Sequence, residues 1–282
     1  MINVMLTGGS GFIGRHVLAE LCKHDVNITL VTRNSIAPVI PSTTKIVIAQ
    51  LDIKQTESIN FKQLGKPDVL IHLAWEGLPN YQSLHHFEIE VPRHYQFLKT
   101  LINSGLQSLF VAGTCFEYGM LSGSLNETLA TQPNTSYGFA KDSLRKQLQY
   151  LQAQSTFDLT WGRLFYLYGD GQSPTSFFSQ LSNAISQKES YFNMSGGEQL
   201  RDYLAVNIAA QHIVDLALQK KNIGVVNICS GKPISIRALA EEVIRNSKHK
   251  IELNIGHYPY PKYEPMAFWG DKKKLDMSLA PQ

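Results

Sequence analysis

The 282-residue chain holds only three cysteines, Cys22, Cys115 and Cys229, with no CxxC pair and no Cys/His spacing suited to a metal. That excludes a disulfide scaffold and a zinc module, fits a reducing compartment, and leads us to expect no metal site. No apolar run approaches the ~20 residues that a membrane-spanning helix needs. "MINVML" runs straight into a glycine-rich stretch without a basic segment or cleavage pattern, so a cytoplasmic location with no secretory leader is expected. Charge is sparse, at 17% of residues, and the net +3 has no dense basic block behind it. "DKKKL" at 271–275 comes nearest and reads as a solvated face, so nucleic acid is not an expected partner. No internal repeat or low-complexity tether divides the chain.

What is present is alternation. "INVML", "NITLVT", "KIVIAQ", "DVLIHLAW", "SLFVAGT" and "DLTWGRLFYLYG" read as strands, several of them apolar on both faces. Helical spacing separates them, first at Phe12, Ile13, Val17, Leu18 and Leu21, then across about 84–104, where Pro92 threatens a kink, and in "FAKDSLRKQLQYLQ". Strands of this kind between helices indicate an α/β fold with a parallel sheet covered on both sides. Past Gly169 the pattern loosens, with helices expected near 175–187, 206–220 and 235–246.

The stretch "TGGSGFIG" places Gly8, Gly11 and Gly14 three apart between a strand and a helix. A pyrophosphate at a helix N-terminus meets free N–H groups and the positive end of the helix dipole. Side chains at Gly8 or Gly11 would hold it off, and Gly14 would allow close helix–strand packing. The alternative is a set of turn glycines. The second strand ends "VTRN", with Thr32 and Arg33 and no carboxylate to accept from an adenosine 2′-hydroxyl. Arg33 could instead pair with a 2′-phosphate, which favours NADP(H) over NAD(H), unless it is only an exposed loop arginine.

"YGFAK" sets Tyr137 and Lys141 on one helix face, and Thr114 closes the strand "SLFVAGT" 23 residues before Tyr137. A nearby ammonium favours the tyrosine phenolate and could bring its pKa toward neutrality. A threonine at a strand's carboxyl end can bond the same substrate oxygen. Together the three read as a Thr–Tyr–Lys set for hydride transfer at a carbinol or ketone.

The GxxGxxG spacing resembles the extended short-chain dehydrogenase/reductase superfamily. "TGGSGFIG", "HLAW", "GTCFEYG", "YGFAK", "RLFYLYG" and "GGEQLRDYLAV" look like landmarks of its NAD-dependent epimerase/dehydratase family, and most closely like reductases of dTDP-4-keto-6-deoxyhexoses. The resemblance implies a Rossmann-type doubly wound parallel sheet with a smaller interleaved mixed α/β lobe. Residues 1–168 would form the dinucleotide-binding domain, also taking 204–230, and 169–282 the substrate lobe. Phe12 and Ile13 would follow the glycine loop, Asp52 and Ile53 of "QLDI" would lie at adenine, and Leu73 and Ala74 would line the cofactor. Asp52 reads equally well as a turn aspartate.

The implied reaction is NAD(P)H-dependent reduction of the 4-keto group of a dTDP-linked 6-deoxyhexose, in deoxysugar synthesis for surface polysaccharide. A 4-epimerase, or a non-catalytic NADP(H)-binding redox sensor, would use the same fold, and a homodimer is among the assemblies left open. By resemblance Arg201 reaches the substrate diphosphate; otherwise it forms a surface salt bridge with Asp202. Tyr166 replaces the asparagine common in "NVYG". Trp75, Glu76 and Tyr81 in "WEGLPNY" could hold the sugar or merely pack the lobes. Cys115 and Phe116 stand where the family's dehydratases carry Asp–Glu, so they would face substrate without moving a proton. Glu117, read as part of an extended segment, would point away from Phe116. Epimerase–reductases carry a cysteine one residue later and a histidine that "YGDGQ" lacks. His85 and His86 read as helix-surface residues without metal-like partners, and Trp269 as buried lobe packing.

Overall fold

Near-continuous apolar runs bury both faces of the central strands, and this fixes the centre of the molecule. In a computed structural model, which describes residues 1–33, 46–54, 60–247 and 249–280, seven parallel strands form one sheet. They are β1 (Ile2–Thr7), β2 (Val26–Thr32), β3 (Ile46–Gln50), β4 (Val69–His72), β5 (Ser108–Thr114), β7 (Asp158–Leu164) and β11 (Gly224–Ile228). The shorter strands are β6 (Gly123–Leu125), β8 (Tyr166–Tyr168), β9 (Tyr191–Asn193), β10 (Leu200–Ala205), β12 (Pro233–Ser235), β13 (Glu252–Asn254) and β14 (Phe268–Gly270). The large sheet runs β11-β7-β5-β4-β1-β2-β3, so strand order reverses between β1 and β4. At such a switch point the connections leave to opposite faces and a crevice opens beyond the carboxyl ends.

Val4 and Leu6 face helices α1 (Phe12–Leu21), α5 (Val206–Leu218) and α7 (Lys273–Leu279). Met5 faces the opposite layer, α2 (Val91–Asn103) and α3 (Ser136–Gln152). A separate apolar cluster joins α4 (Phe177–Ser186), α6 (Ile236–Ser247), Phe192 and Met194. Strand β11 enters the large sheet beside β7, although the chain has passed through β8, β9 and β10 in between.

Several local expectations change. "DVLIHLAW" stops being a strand at His72, and Leu73 onward is loop. β3 is the sheet edge and exposes Val47 and Ile48; its expected start at Lys45, like Asn34 of "VTRN", lies outside the described residues. Pro92 breaks nothing, because the helical turn that precedes it, over His86–Glu90, is of the wider π type and runs directly into α2. Trp269 is half-buried; Phe268 beside it is the buried packing residue.

Candidate active site

The glycine loop lies at the β1/β4 crevice, in a cleft of about 290 Å³ that Gly8, Gly11, Arg33, Ile53, Ala74 and Glu76 help to line. Each motif glycine has a separate physical cause. Gly8 has φ +75°, and a Cβ there would stand 2.7 Å from the Ala74 nitrogen, so the loop's contact with Leu73 and Ala74 needs it. A Cβ at Gly14 would meet the Gly8 carbonyl oxygen at 2.0 Å, so the close packing here is of helix on loop and not, as expected, of helix on strand. At Gly11 a Cβ would press on the Gly8 carbonyl oxygen at 3.2 Å, a milder conflict than at Gly14. No side chain caps α1, whose first N–H groups therefore remain available to an anion. These residues fit a dinucleotide pyrophosphate. Phe12 and Ile13 pack half-buried against the core below the loop. Asp52 behaves as the turn aspartate, its carboxylate accepting from the Lys54 N–H at 3.0 Å. Arg33 is not a waiting cation: its guanidinium is ion-paired to Glu76, whose other oxygen lies 3.3 Å from the Lys54 ammonium. Glu76, for which the sequence left sugar contact and lobe packing both open, lines this end of the cleft.

Strand β5 delivers Thr114, and α3 delivers Tyr137 and Lys141 one turn apart. All three are buried, with Tyr137 in hydrogen-bonding reach of Thr114. Lys141 donates to the Ala112 carbonyl at 2.9 Å and lies 3.9 Å from the centre of the Trp75 ring. Desolvation dominates both titrations: it pushes Lys141 down to about 7 and Tyr137 up, not down toward neutrality as the sequence suggested. The ammonium lies 5.9 Å from the tyrosine ring centre, too far to offset that burial.

The residues after Thr114 form a 3-10 turn, Cys115–Tyr118, and not an extended segment. Glu117 therefore curls back, accepting from the Thr114 N–H at 2.9 Å, the Trp161 indole at 2.8 Å and Arg163 at 2.8 Å. Fully buried, it is spent on holding Thr114 in place. Sequence reasoning passed over it because the capping box shows only once the turn is known.

Behind the cleft runs a buried polar chain. Burial raises the Glu90 carboxyl, but hydrogen bonds from His94 at 3.1 Å and from the Glu76 N–H hold it at about 2. His94 Nδ1 lies 2.7 Å from His72 Nε2, and His72 Nδ1 lies 2.8 Å from the Thr7 hydroxyl. Burial lowers both histidines, so both are neutral and one proton order satisfies every atom: Thr7 donates to His72, His72 to His94, and His94 to Glu90. His86, expected on the surface, is buried; its Nδ1 accepts from Trp75 at 3.1 Å and its Nε2 donates to the Asn80 carbonyl. His85 also has partners, since one ligand atom each from His85, Glu76 and Glu90 gather within 4.8 Å of one another. Arg33, Lys54 and Arg93 already neutralise the two carboxylates, so the group is an ion-pair network.

Toward the smaller lobe, the ring centre of Tyr81 lies 5.8 Å from Tyr137 and 4.9 Å from Phe116, with Trp75 6.1 Å from Tyr137. Three of the expected sugar-contacting residues thus converge on Tyr137. Cys115 is buried and its thiol is pushed up by desolvation. Arg201 pairs with neither solvent nor Asp202. It is 2% exposed, its fork donates to Glu264 at 2.8 and 3.1 Å, and it lies 5.8 Å from the Tyr166 ring. Asp202 instead accepts from the 230–231 backbone. Tyr263 and Glu264, which complete this wall, sit in a polar stretch that carries no motif.

The family model "NAD dependent epimerase/dehydratase family" matches residues 4–229. A curated relative, dTDP-6-deoxy-L-talose 4-dehydrogenase (NAD(+)) of Aggregatibacter actinomycetemcomitans, is 30% identical over 96% of this chain and 100% of its own. From the same organism, GDP-6-deoxy-D-talose 4-dehydrogenase is 22% identical over 89% of this chain and 82% of its own. Among solved structures, a UDP-N-acetylglucosamine 4-epimerase from Methanobrevibacter ruminantium M1 superposes with TM-score 0.86 at 22% identity, over 99% of this chain and 92% of that one. MoeE5 in complex with UDP-glucuronic acid and NAD gives 0.82 at 22% identity, over 98% and 92%.

Proposed function

Because the chain belongs to the NAD-dependent epimerase/dehydratase family, we propose that it interconverts a 4-keto group and a C4 hydroxyl on a nucleotide-activated 6-deoxyhexose, most specifically a dTDP-linked one. The observation that carries this reading is the meeting of Thr114, Tyr137 and Lys141 at the carboxyl end of β5, next to the glycine-loop cleft. The 6-deoxyhexose relative supports the substrate class.

Gly8, Gly11 and the first turn of α1 would hold the dinucleotide pyrophosphate, Leu73 and Ala74 would flank it, and Lys141 would hold ribose hydroxyls. When bound, the nicotinamide supplies or takes up the hydride. Burial keeps Tyr137 protonated, so its hydroxyl is set to give a proton to the C4 oxygen as a ketone becomes an alcohol. Thr114 would bond the same oxygen, with Glu117 fixing its backbone. Trp75, Tyr81 and Phe116 would receive the sugar, and residues 169–282 the nucleotide. Arg201 would reach a diphosphate only by leaving Glu264. The NADP(H) preference read from Arg33 loses its support once that side chain is found paired.

The test is incubation with dTDP-4-keto-6-deoxyhexoses and NADH or NADPH in D₂O. Stoichiometric coenzyme oxidation, a new C4 hydroxyl by NMR and no deuterium at C3 or C5 are expected. Exchange of C4 epimers without net coenzyme use would move the assignment to an epimerase.

A further inference from the structure

We propose that Glu76 selects NAD(H) over NADP(H) by supplying, from the loop after β4, the carboxylate that the end of β2 lacks. This assignment rests on the cleft holding a nicotinamide dinucleotide. Dinucleotide sheets of this kind place a carboxylate after the second strand, where it accepts from the adenosine ribose diol. Here β2 closes on Thr32 and Arg33. Among the described residues that line the cleft, the carboxylate is Glu76, across from that strand end.

Glu76 is built into position. Its N–H donates to the buried Glu90 carboxylate at 3.3 Å, and Glu90 is anchored in turn by His94 and Arg93. One oxygen of Glu76 takes the Arg33 guanidinium, and the other lies 3.3 Å from the Lys54 ammonium. Its side chain is 34% exposed and still borders the cleft.

The arrangement discriminates by charge. A ribose diol gains a carboxylate acceptor, and a charge-assisted hydrogen bond is about twice as strong as a neutral one. A 2′-phosphate would meet the same carboxylate as a like charge and could bind Arg33 or Lys54 only by breaking the ion pairs that hold them on Glu76. Neutralising Glu76 reverses this, because Arg33 and Lys54 are then released together as phosphate ligands.

The experiment is titration of the purified full-length protein with NADH and with NADPH, read by quenching of tryptophan fluorescence and by calorimetry. Wild type is expected to bind NADH at least ~10-fold more tightly, and Glu76→Gln to gain at least ~10-fold in NADPH affinity while losing NADH affinity. Adding Arg33→Ala to that variant should remove the gain. A wild type that prefers NADPH, or a Glu76→Gln ratio unchanged within about 3-fold, overturns the proposal and leaves the dinucleotide reading standing. Binding of neither coenzyme overturns both.

Discussion

The Lys141 ammonium is caught between the face of Trp75, 3.9 Å from the ring centre, and the Ala112 carbonyl at 2.9 Å. Trp75 is itself fixed by stacking on His94, with ring centres 4.6 Å apart, and by donating to His86. A cation–π contact and one carbonyl replace only part of an ammonium's hydration, which is why Lys141 falls to about 7.

Coenzyme binding should therefore take up a proton. Ribose hydroxyls accept from the charged amine and raise its pKa in the complex, so affinity falls as pH rises above about 7, by at most ~10-fold per pH unit. Calorimetry at pH 8 in buffers of different ionisation enthalpy will show the uptake, and Lys141→Met should abolish it. Binding without proton uptake would contradict this account of the lysine.

Gly11→Ala and Gly14→Ala should fail differently. At Gly14 the new methyl would overlap the Gly8 carbonyl, so stability is expected to drop by about 1–3 kcal/mol, as overpacking does. At Gly11 the methyl would press on the Gly8 carbonyl only at 3.2 Å, so the stability loss should be smaller than at Gly14, while dinucleotide affinity is expected to fall. Urea denaturation alongside NADH titration separates the two, and equal destabilisation by both variants would refute the distinction.

Tyr137→Phe should retain folding and coenzyme binding but lose at least ~100-fold in turnover, the usual contribution of a positioned proton donor. Its ring keeps its place among Tyr81 and Phe116, so a structural loss is not expected. Near-normal keto-sugar reduction would remove Tyr137 from the chemistry.

The Thr7–His72–His94–Glu90 chain makes the fold acid-sensitive. Both histidines have folded-state pKa values below their unfolded value of 6.5, so the unfolded chain binds more protons once pH falls through that value. Their contribution is complete above about pH 6.5 and is lost as pH falls below it, at up to ~1.4 kcal/mol per pH unit for each proton. Glu90, with its pKa near 2, loses its own contribution only as pH falls below its ordinary 4.5 toward 2. Urea midpoints at pH 7.5, 6.0 and 5.0 should decline, and His94→Gln should flatten the slope. A flat profile would count against a neutral histidine pair.

The parallel sheet, the glycine loop and the grouping of Thr114, Tyr137 and Lys141 were legible in the chain, because apolar strand runs, turn glycines and a one-turn helix spacing are each local patterns. Backbone sterics and helical pitch act over a few residues, and a one-dimensional pattern records them directly. The partners of the polar residues were not legible. Arg33 finds Glu76 across 43 positions, Arg201 finds Glu264 across 63, and Arg163 finds Glu117 across 46. The direction of the Tyr137 and Lys141 shifts also escaped, since burial is set by everything packed around a group and not by the neighbour four residues away. Local geometry by itself determined the glycine loop ahead of α1 and the helix turn that pairs Tyr137 with Lys141; the tertiary fold decided which charges meet there, because Coulomb and desolvation energies depend on distance and burial in space and not on order along the chain.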